Sequence, residues 1–151
     1  MKKRKDLLFQ QEVKRAARIV FKEDKQLFFL TWGALFFNLI VWISLTWLVR
    51  IVGKTMLIME YNSFLGINCM LDLRETIAWK EIYAMPLAAT GFLLFNWLLA
   101  VFLIYQTLNS PEREEAVVRI NWLAAQLVLM GGLMVQLATA IFILALWKVN
   151  S

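Results

Sequence analysis

The acidic side chains in the middle of the chain are the first candidates for chemistry. Glu60, Asp72, Glu75 and Glu81 lie close together in the sequence. A pair of carboxylates can act as general acid and base if each one reaches a reacting proton, and here the substrate would be a lipid. Their spacing in a loop does not establish that geometry, so a lipid-modifying enzyme is one hypothesis among three.

A second acidic group suits helix capping better than chemistry. Glu112, Glu114 and Glu115 follow Ser110 and Pro111. Serine is a good N-cap, proline fits the first helical position, and carboxylates are stabilising near the positive end of a helix dipole. The group therefore predicts the start of a helix and no metal site.

Histidine is absent from the sequence and Cys69 is the only cysteine. These counts exclude histidine-based zinc and haem sites, Ser–His and Cys–His nucleophile pairs, and an intrachain disulfide. We predict no catalytic residue, no metal and no cofactor.

The composition indicates that lipid is the solvent of this chain. Its 151 residues are 61% hydrophobic and 18% charged, whereas a soluble domain is about 45–50% apolar and about 25% charged. A chain this short cannot bury so much apolar surface in its own core. A basic arm beside apolar spans is better explained by the membrane than by nucleic acid, which we exclude as a partner.

Three charge-free apolar stretches predict an all-α integral membrane protein with three transmembrane helices. Each stretch can cross a hydrocarbon core about 30 Å thick, and Pro86 suits the first turn of the second. The predicted order is a basic cytoplasmic arm (1–26), helix 27–49, an extracytoplasmic loop with a short β-hairpin and an interfacial helix (50–86), helix 87–107, a cytoplasmic loop (108–119), helix 120–147 and a tail (148–151).

The distribution of Lys and Arg predicts the orientation of these spans. The arm and the second loop hold eleven, and the first loop and the tail hold five. Because cytoplasmic segments carry the excess of positive charge, we expect a multi-pass protein of the cell membrane. Its N-terminus would be cytoplasmic and its C-terminus extracytoplasmic.

The arm has the pattern of an amphipathic helix. Phe9, Val13, Ala16, Ala17 and Val20 recur at helical spacing, with basic residues between them. Such a helix can lie on the inner membrane surface and bind anionic lipid. The alternative is a solvated extension that only sets the topology.

Polar and small residues within the spans predict how the helices associate. Asn38, Asn96 and Gln136 lie near mid-span; an unpaired amide in hydrocarbon is costly, so we expect them to bond one another or nearby carbonyls. Span three also carries small residues at seven-residue spacing, which let helices approach closely. They are Ala124, Gly131, Ala138 and Ala145, with Ala125, Gly132 and Thr139 one position along.

The outer loop joins a predicted hairpin to polar residues that could form a recognition surface. Gly66 suits a turn, and asparagines such as Asn62 and Asn68 bond turn backbone readily. Alternatively, Glu60, Tyr61, Asn62, Gly66 and Asn68 contact a partner outside the membrane. The two roles are compatible, because residues that stabilise the turn of the hairpin can also contact a partner.

The same loop carries a resemblance. Tyr61-Asn62, followed after three residues by Gly66-Ile67-Asn68, resembles a motif of uncharacterised three-span membrane proteins of small-genome bacteria. The resemblance covers about a third of the chain. Glu60 stands where those proteins usually have His, and Asn68 where they have Asp. The resemblance implies the three-span architecture and does not indicate an activity.

Two non-enzymatic hypotheses accompany the lipid-modifying enzyme. The first is an accessory or scaffolding subunit of a membrane assembly, with another membrane protein or further copies of itself as partner. The second is a small oligomeric transporter or channel, in which Asn38, Asn96, Gln126 and Gln136 line a polar route. The absence of charge within the spans argues against ion or proton coupling.

Overall fold

The computed structural model describes residues 2–52, 56–62, 66–72, 76–109 and 115–150, with side chains described for 8–50, 58–59, 80, 82–109 and 115–150. In chain order the elements are helix α1 (Lys2–Arg18), a π-helical segment (Ile19–Glu23), helix α2 (Lys25–Val52), strands β1 (Met56–Asn62) and β2 (Gly66–Asp72), helix α3 (Thr76–Asn109) and helix α4 (Glu115–Asn150).

Within the described residues, three helices are long and apolar enough to cross a membrane. The candidate spans are Lys25–Arg50, Ile82–Asn109 and Glu115–Asn150, of 26, 28 and 36 residues. At about 1.5 Å per residue, each exceeds a hydrocarbon core of about 30 Å. Only 28% of the most apolar window in each is buried within the chain, so most of this apolar surface faces outward. The prediction of three helices long and apolar enough to cross a membrane is confirmed.

Asp24 separates the arm from the first span. Its extended backbone ends the π-helical segment, where its N–H donates to the carbonyl of Ile19 over 3.1 Å. Its carboxylate oxygen Oδ1 accepts a 2.8 Å hydrogen bond from the N–H of Leu27. This is an N-cap, which satisfies one of the unpaired donors at the start of α2.

The second span differs from the prediction at its start. The sequence predicts a separate interfacial helix and a span that opens after Pro86, whereas α3 is one helix from Thr76 to Asn109 with Pro86 inside it. Proline removes a single backbone donor. The missing donor would have reached the carbonyl of Ile82, one turn earlier, and spanning helices tolerate such a loss where neighbouring groups surround it. The Thr90 hydroxyl donates to the carbonyl of Pro86 itself over 2.8 Å, the usual bond of a helical threonine. The predicted cap at 110–114 lies outside the described residues, and α4 is described from Glu115.

The two strands pair antiparallel, with Met56 opposite Asp72 and Asn62 opposite Gly66. The register shifts on either side of Glu60, so that Met59 on β1 and Asn68 on β2 fall outside the residue pairing. An irregularity of this kind can redirect a side chain, and Met59 packs against buried residues of the helices.

The chain divides into two compact units. Unit 1 comprises Met1–Leu35 and Phe92–Met134, and unit 2 comprises Phe36–Gly91 and Val135–Ser151. The core of unit 1 consists of Ala16, Val20, Leu27, Ala100, Ile104, Ala125 and Leu129. The core of unit 2 consists of Val41, Leu45, Leu48, Val49, Ile82, Ile143 and Leu146.

The arm takes part in the core of unit 1. Ala16 and Val20 are fully buried there, and the ring of Phe9 meets that of Tyr105 edge-on, with centroids 5.5 Å apart. Lys14 and Arg15 on the same helix are exposed. The end of the arm is therefore bound to α3 and α4 through its apolar face.

Candidate functional site

Two of the predicted amides lie in direct contact in unit 2. Asn38 on α2 donates through Nδ2 to Oε1 of Gln136 on α4 over 3.1 Å, and to Oγ1 of Thr90 on α3 over 2.8 Å. Gln136 donates through Nε2 to the carbonyl of Ala89 over 2.8 Å. Asn38 is 5% exposed and Gln136 is fully buried. We call Asn38, Thr90 and Gln136 the amide cluster, and it links all three spans.

Thr90 uses its hydroxyl fully in this cluster. Oγ1 accepts from Asn38 Nδ2 and, over 3.0 Å, from Trp42 Nε1, while its own proton goes to the carbonyl of Pro86. A hydroxyl has one donor and two acceptor lone pairs, so no bonding capacity is left for a solute. The ring of Trp42 also stacks on Tyr83, with centroids 5.9 Å apart.

The third predicted amide, Asn96, lies in unit 1. It is 5% exposed, and its Nδ2 donates to the backbone carbonyl of Val128 on α4 over 3.0 Å. Gly132 lies beside it: a Cβ atom built there would be 3.0 Å from Asn96 Nδ2. The glycine thus lets the amide reach the backbone of α4. Elsewhere in unit 1, Thr31 Oγ1 and Trp97 Nε1 are buried without a hydrogen-bond partner among the described residues.

The small residues of span three divide between an inner and an outer face of α4. Ala125, Gly132 and Thr139 are buried, whereas Ala124 is half-buried and Gly131, Ala138 and Ala145 are exposed. A Cβ atom at Gly131 would meet nothing within 4 Å. The three buried residues therefore serve packing inside this chain, and the exposed ones leave the outer face open to a neighbour.

Asn150 fixes the hairpin to the end of α4, a role that sequence reasoning missed. Its Oδ1 accepts from the N–H of Ile58 and its Nδ2 donates to the carbonyl of the same residue, each over 2.9 Å. The carboxamide of Asn150 therefore pairs with both backbone groups of Ile58, as the backbone of a neighbouring strand would. One asparagine at a helix end, far from β1 in sequence, gives no signal of this contact.

Two further side-chain contacts in unit 1 were not predicted. Gln126, proposed for a polar route, donates through Nε2 to Oε1 of Gln26 near the start of α2. Trp32 donates through Nε1 to the carbonyl of Phe21 in the π-helical segment over 3.1 Å. Both contacts hold the start of the first span.

The residues predicted for an outer-loop surface lie partly outside the described part of the chain. The backbones of Glu60, Tyr61, Asn62, Gly66 and Asn68 belong to β1 and β2. Their side chains are not among those described, and neither are those of Asp72, Glu75 and Glu81. Among the described residues, no group of three His, Cys, Asp or Glu side chains could hold a metal ion.

Comparison with protein-family models, with curated proteins and with solved structures gives no match to this chain.

Proposed function

We propose that this chain is a non-enzymatic accessory or scaffolding subunit of a membrane assembly. The amide cluster carries the proposal. A transported solute would need polar groups that can exchange their partners, whereas Asn38, Thr90 and Gln136 bond one another and nearby backbone in a buried site. Such interhelical bonds act as structural glue between spans.

The outer face of α4 supports association with a neighbour. Helices in lipid lack a hydrophobic driving force, so close approach at small residues and van der Waals packing hold them together. Gly131 and Ala138 leave such a surface open, and they are flanked by exposed Met134 and Ile141. The partner helix belongs to a second copy or to another membrane protein.

The proposed orientation places the arm (1–26) and the second loop (108–119) in the cytoplasm. It rests on the eleven Lys and Arg of these segments against five elsewhere. The hydrogen bonds between Ile58 and Asn150 join the hairpin to the end of α4, which is consistent with both lying outside. On the inner side, Leu8 and Phe9, each 54% exposed, would enter the headgroup region while the basic residues meet anionic lipid.

The hairpin is proposed as an ordered extracytoplasmic cap. An isolated two-stranded hairpin is marginal in water, and here Asn150 and the packing of Met59 against the core of unit 2 compensate. A fixed position would also allow the polar residues of β1 and β2 to serve as a recognition surface.

Native purification followed by mass spectrometry tests the assembly. Gly131→Leu fills the outer face of α4 and should reduce the fraction of chain in complexes about tenfold, a loss of about 1.4 kcal/mol in association. Gly91→Leu is the matched control, since this exposed glycine on α3 also has nothing within 4 Å of a built Cβ and should leave complexes intact. A chain that is strictly monomeric in native membrane extracts, or that carries polar solutes into liposomes, would contradict the proposal.

A further inference from the structure

A groove runs along α4 in unit 1 and changes from charged to apolar along its length. At one end it is lined by Glu115, Arg119 and Trp122, and at the other by Leu127 and Met130 together with Phe29 of α2. Leu123 and Gln126 line both parts. The apolar part is open to the outside and offers a volume of about 510 Å³, within the usual range for small-molecule sites. We call it the α2–α4 groove.

The length of this groove matches one leaflet of a bilayer. Arg119 and Met130 are eleven residues apart on a continuous helix, which corresponds to about 16 Å at 1.5 Å per residue. Half of a hydrocarbon core about 30 Å thick is about 15 Å. A headgroup at Arg119 would thus leave an acyl chain alongside Leu123, Leu127 and Met130.

The polar groups along the groove follow the order of groups in a glycerophospholipid. Arg119 is exposed, and guanidinium groups bind phosphate through paired hydrogen bonds. Trp122 lies one turn further, and Gln126 bonds Gln26 at the border of the apolar part. Each carboxamide NH₂ has two N–H groups. Gln126 and Gln26 can therefore keep the hydrogen bond between them and also donate to the ester carbonyls of a lipid.

The charge of unit 1 favours an anionic lipid. This unit holds eleven Lys and Arg and seven Asp and Glu, and Lys22 and Lys25, close to Gln26 in the chain, are exposed. Glu115 at the rim is the opposing charge. The net positive field attracts anionic headgroups more than zwitterionic ones.

We infer that the α2–α4 groove binds one anionic glycerophospholipid, with its phosphate at Arg119 and an acyl chain along Leu123, Leu127 and Met130. The apolar end of the groove adjoins the outer face of α4, because Leu127 and Gly131 are one turn apart on the same helix. The inference does not rest on the proposed function, since the lipid site is lined by residues of this chain alone.

Native mass spectrometry of the detergent-purified chain, titrated with dioleoyl-phosphatidylglycerol, tests this inference. The intact chain should retain one molecule of this lipid and bind dioleoyl-phosphatidylcholine about tenfold less tightly. Arg119→Gln should weaken binding of the anionic lipid about tenfold, as expected for a charge-assisted hydrogen bond. Leu127→Trp should cause a similar loss by filling the apolar part.

Two matched controls lie on the same helix in unit 2. Lys148→Gln removes an exposed cation and Leu144→Trp enlarges an exposed leucine; both should retain the lipid. Equal affinity of the chain for the two lipids, or unchanged binding in Arg119→Gln, would overturn the inference. Circular dichroism shows whether Leu127→Trp is folded. If it is not, the Arg119→Gln result alone decides whether the inference holds.

Discussion

Replacing Gln136 with leucine is expected to lower the free energy of unfolding by about 1–3 kcal/mol. The fully buried side chain donates to the carbonyl of Ala89 and accepts from Asn38. Interhelical hydrogen bonds in membranes contribute about 0.6 kcal/mol on average and up to about 1.7 kcal/mol. Leucine removes two such bonds and leaves the Ala89 carbonyl without this partner, which adds a desolvation cost. Reversible unfolding in mixed detergent micelles measures the difference.

Gln126→Leu provides the matched control for this substitution. Gln126 is also a glutamine on α4, but its bond to Gln26 is exposed, so headgroups or water can replace the partner. We expect a change below about 0.5 kcal/mol, as for most surface substitutions. Equal losses in the two variants would show that the amide cluster does not hold the spans together.

Replacing Gly132 with leucine should destabilise the chain by about 1–3 kcal/mol, the range for overpacking a filled site. A Cβ atom at this position would lie 3.0 Å from Asn96 Nδ2 and 3.6 Å from Asn96 Cβ. The larger side chain must displace Asn96 and break its bond to the carbonyl of Val128. The same unfolding experiment measures the loss.

The neighbouring Gly131 serves as the internal comparison. A Cβ atom there would meet nothing within 4 Å, and leucine has a higher helix propensity than glycine. Gly131→Leu should therefore keep or slightly raise the stability of the isolated chain in detergent. A greater loss for Gly131→Leu than for Gly132→Leu would contradict the assignment of inner and outer faces.

The spans and the mid-span amides are the features that the sequence indicates most directly. An uninterrupted apolar run of more than twenty residues has few structural solutions other than a spanning helix. An amide within such a run must find a partner, which is why Asn38 and Gln136 could be singled out. The period of the small residues indicates a packing surface, but it does not distinguish Gly131 from Gly132. That distinction depends on the rotation of α4 about its axis.

The partners of the amides could not be predicted from the sequence. A threonine in a helix often bonds the carbonyl four residues earlier, so Thr90 carries no sign of its contacts with Asn38 and Trp42. Asn150 is equally inconspicuous, because its contact with Ile58 depends on the position of the hairpin. The continuity of α3 through Pro86 could not be predicted for a related reason: proline is a common first residue of a helix, and only the surrounding spans allow it inside one.

Labelling of introduced cysteines with a membrane-impermeant maleimide tests most directly the claim that three spans are threaded from the basic side. Both sites are exposed in the structure, Lys22 before α2 and Lys148 near the end of α4, and each is changed to cysteine in a Cys69→Ser background. In intact cells the Lys148→Cys variant should be labelled, and Lys22→Cys should be labelled only after the membrane is opened. Labelling of both variants in intact cells, or of Lys22→Cys alone, would contradict the account.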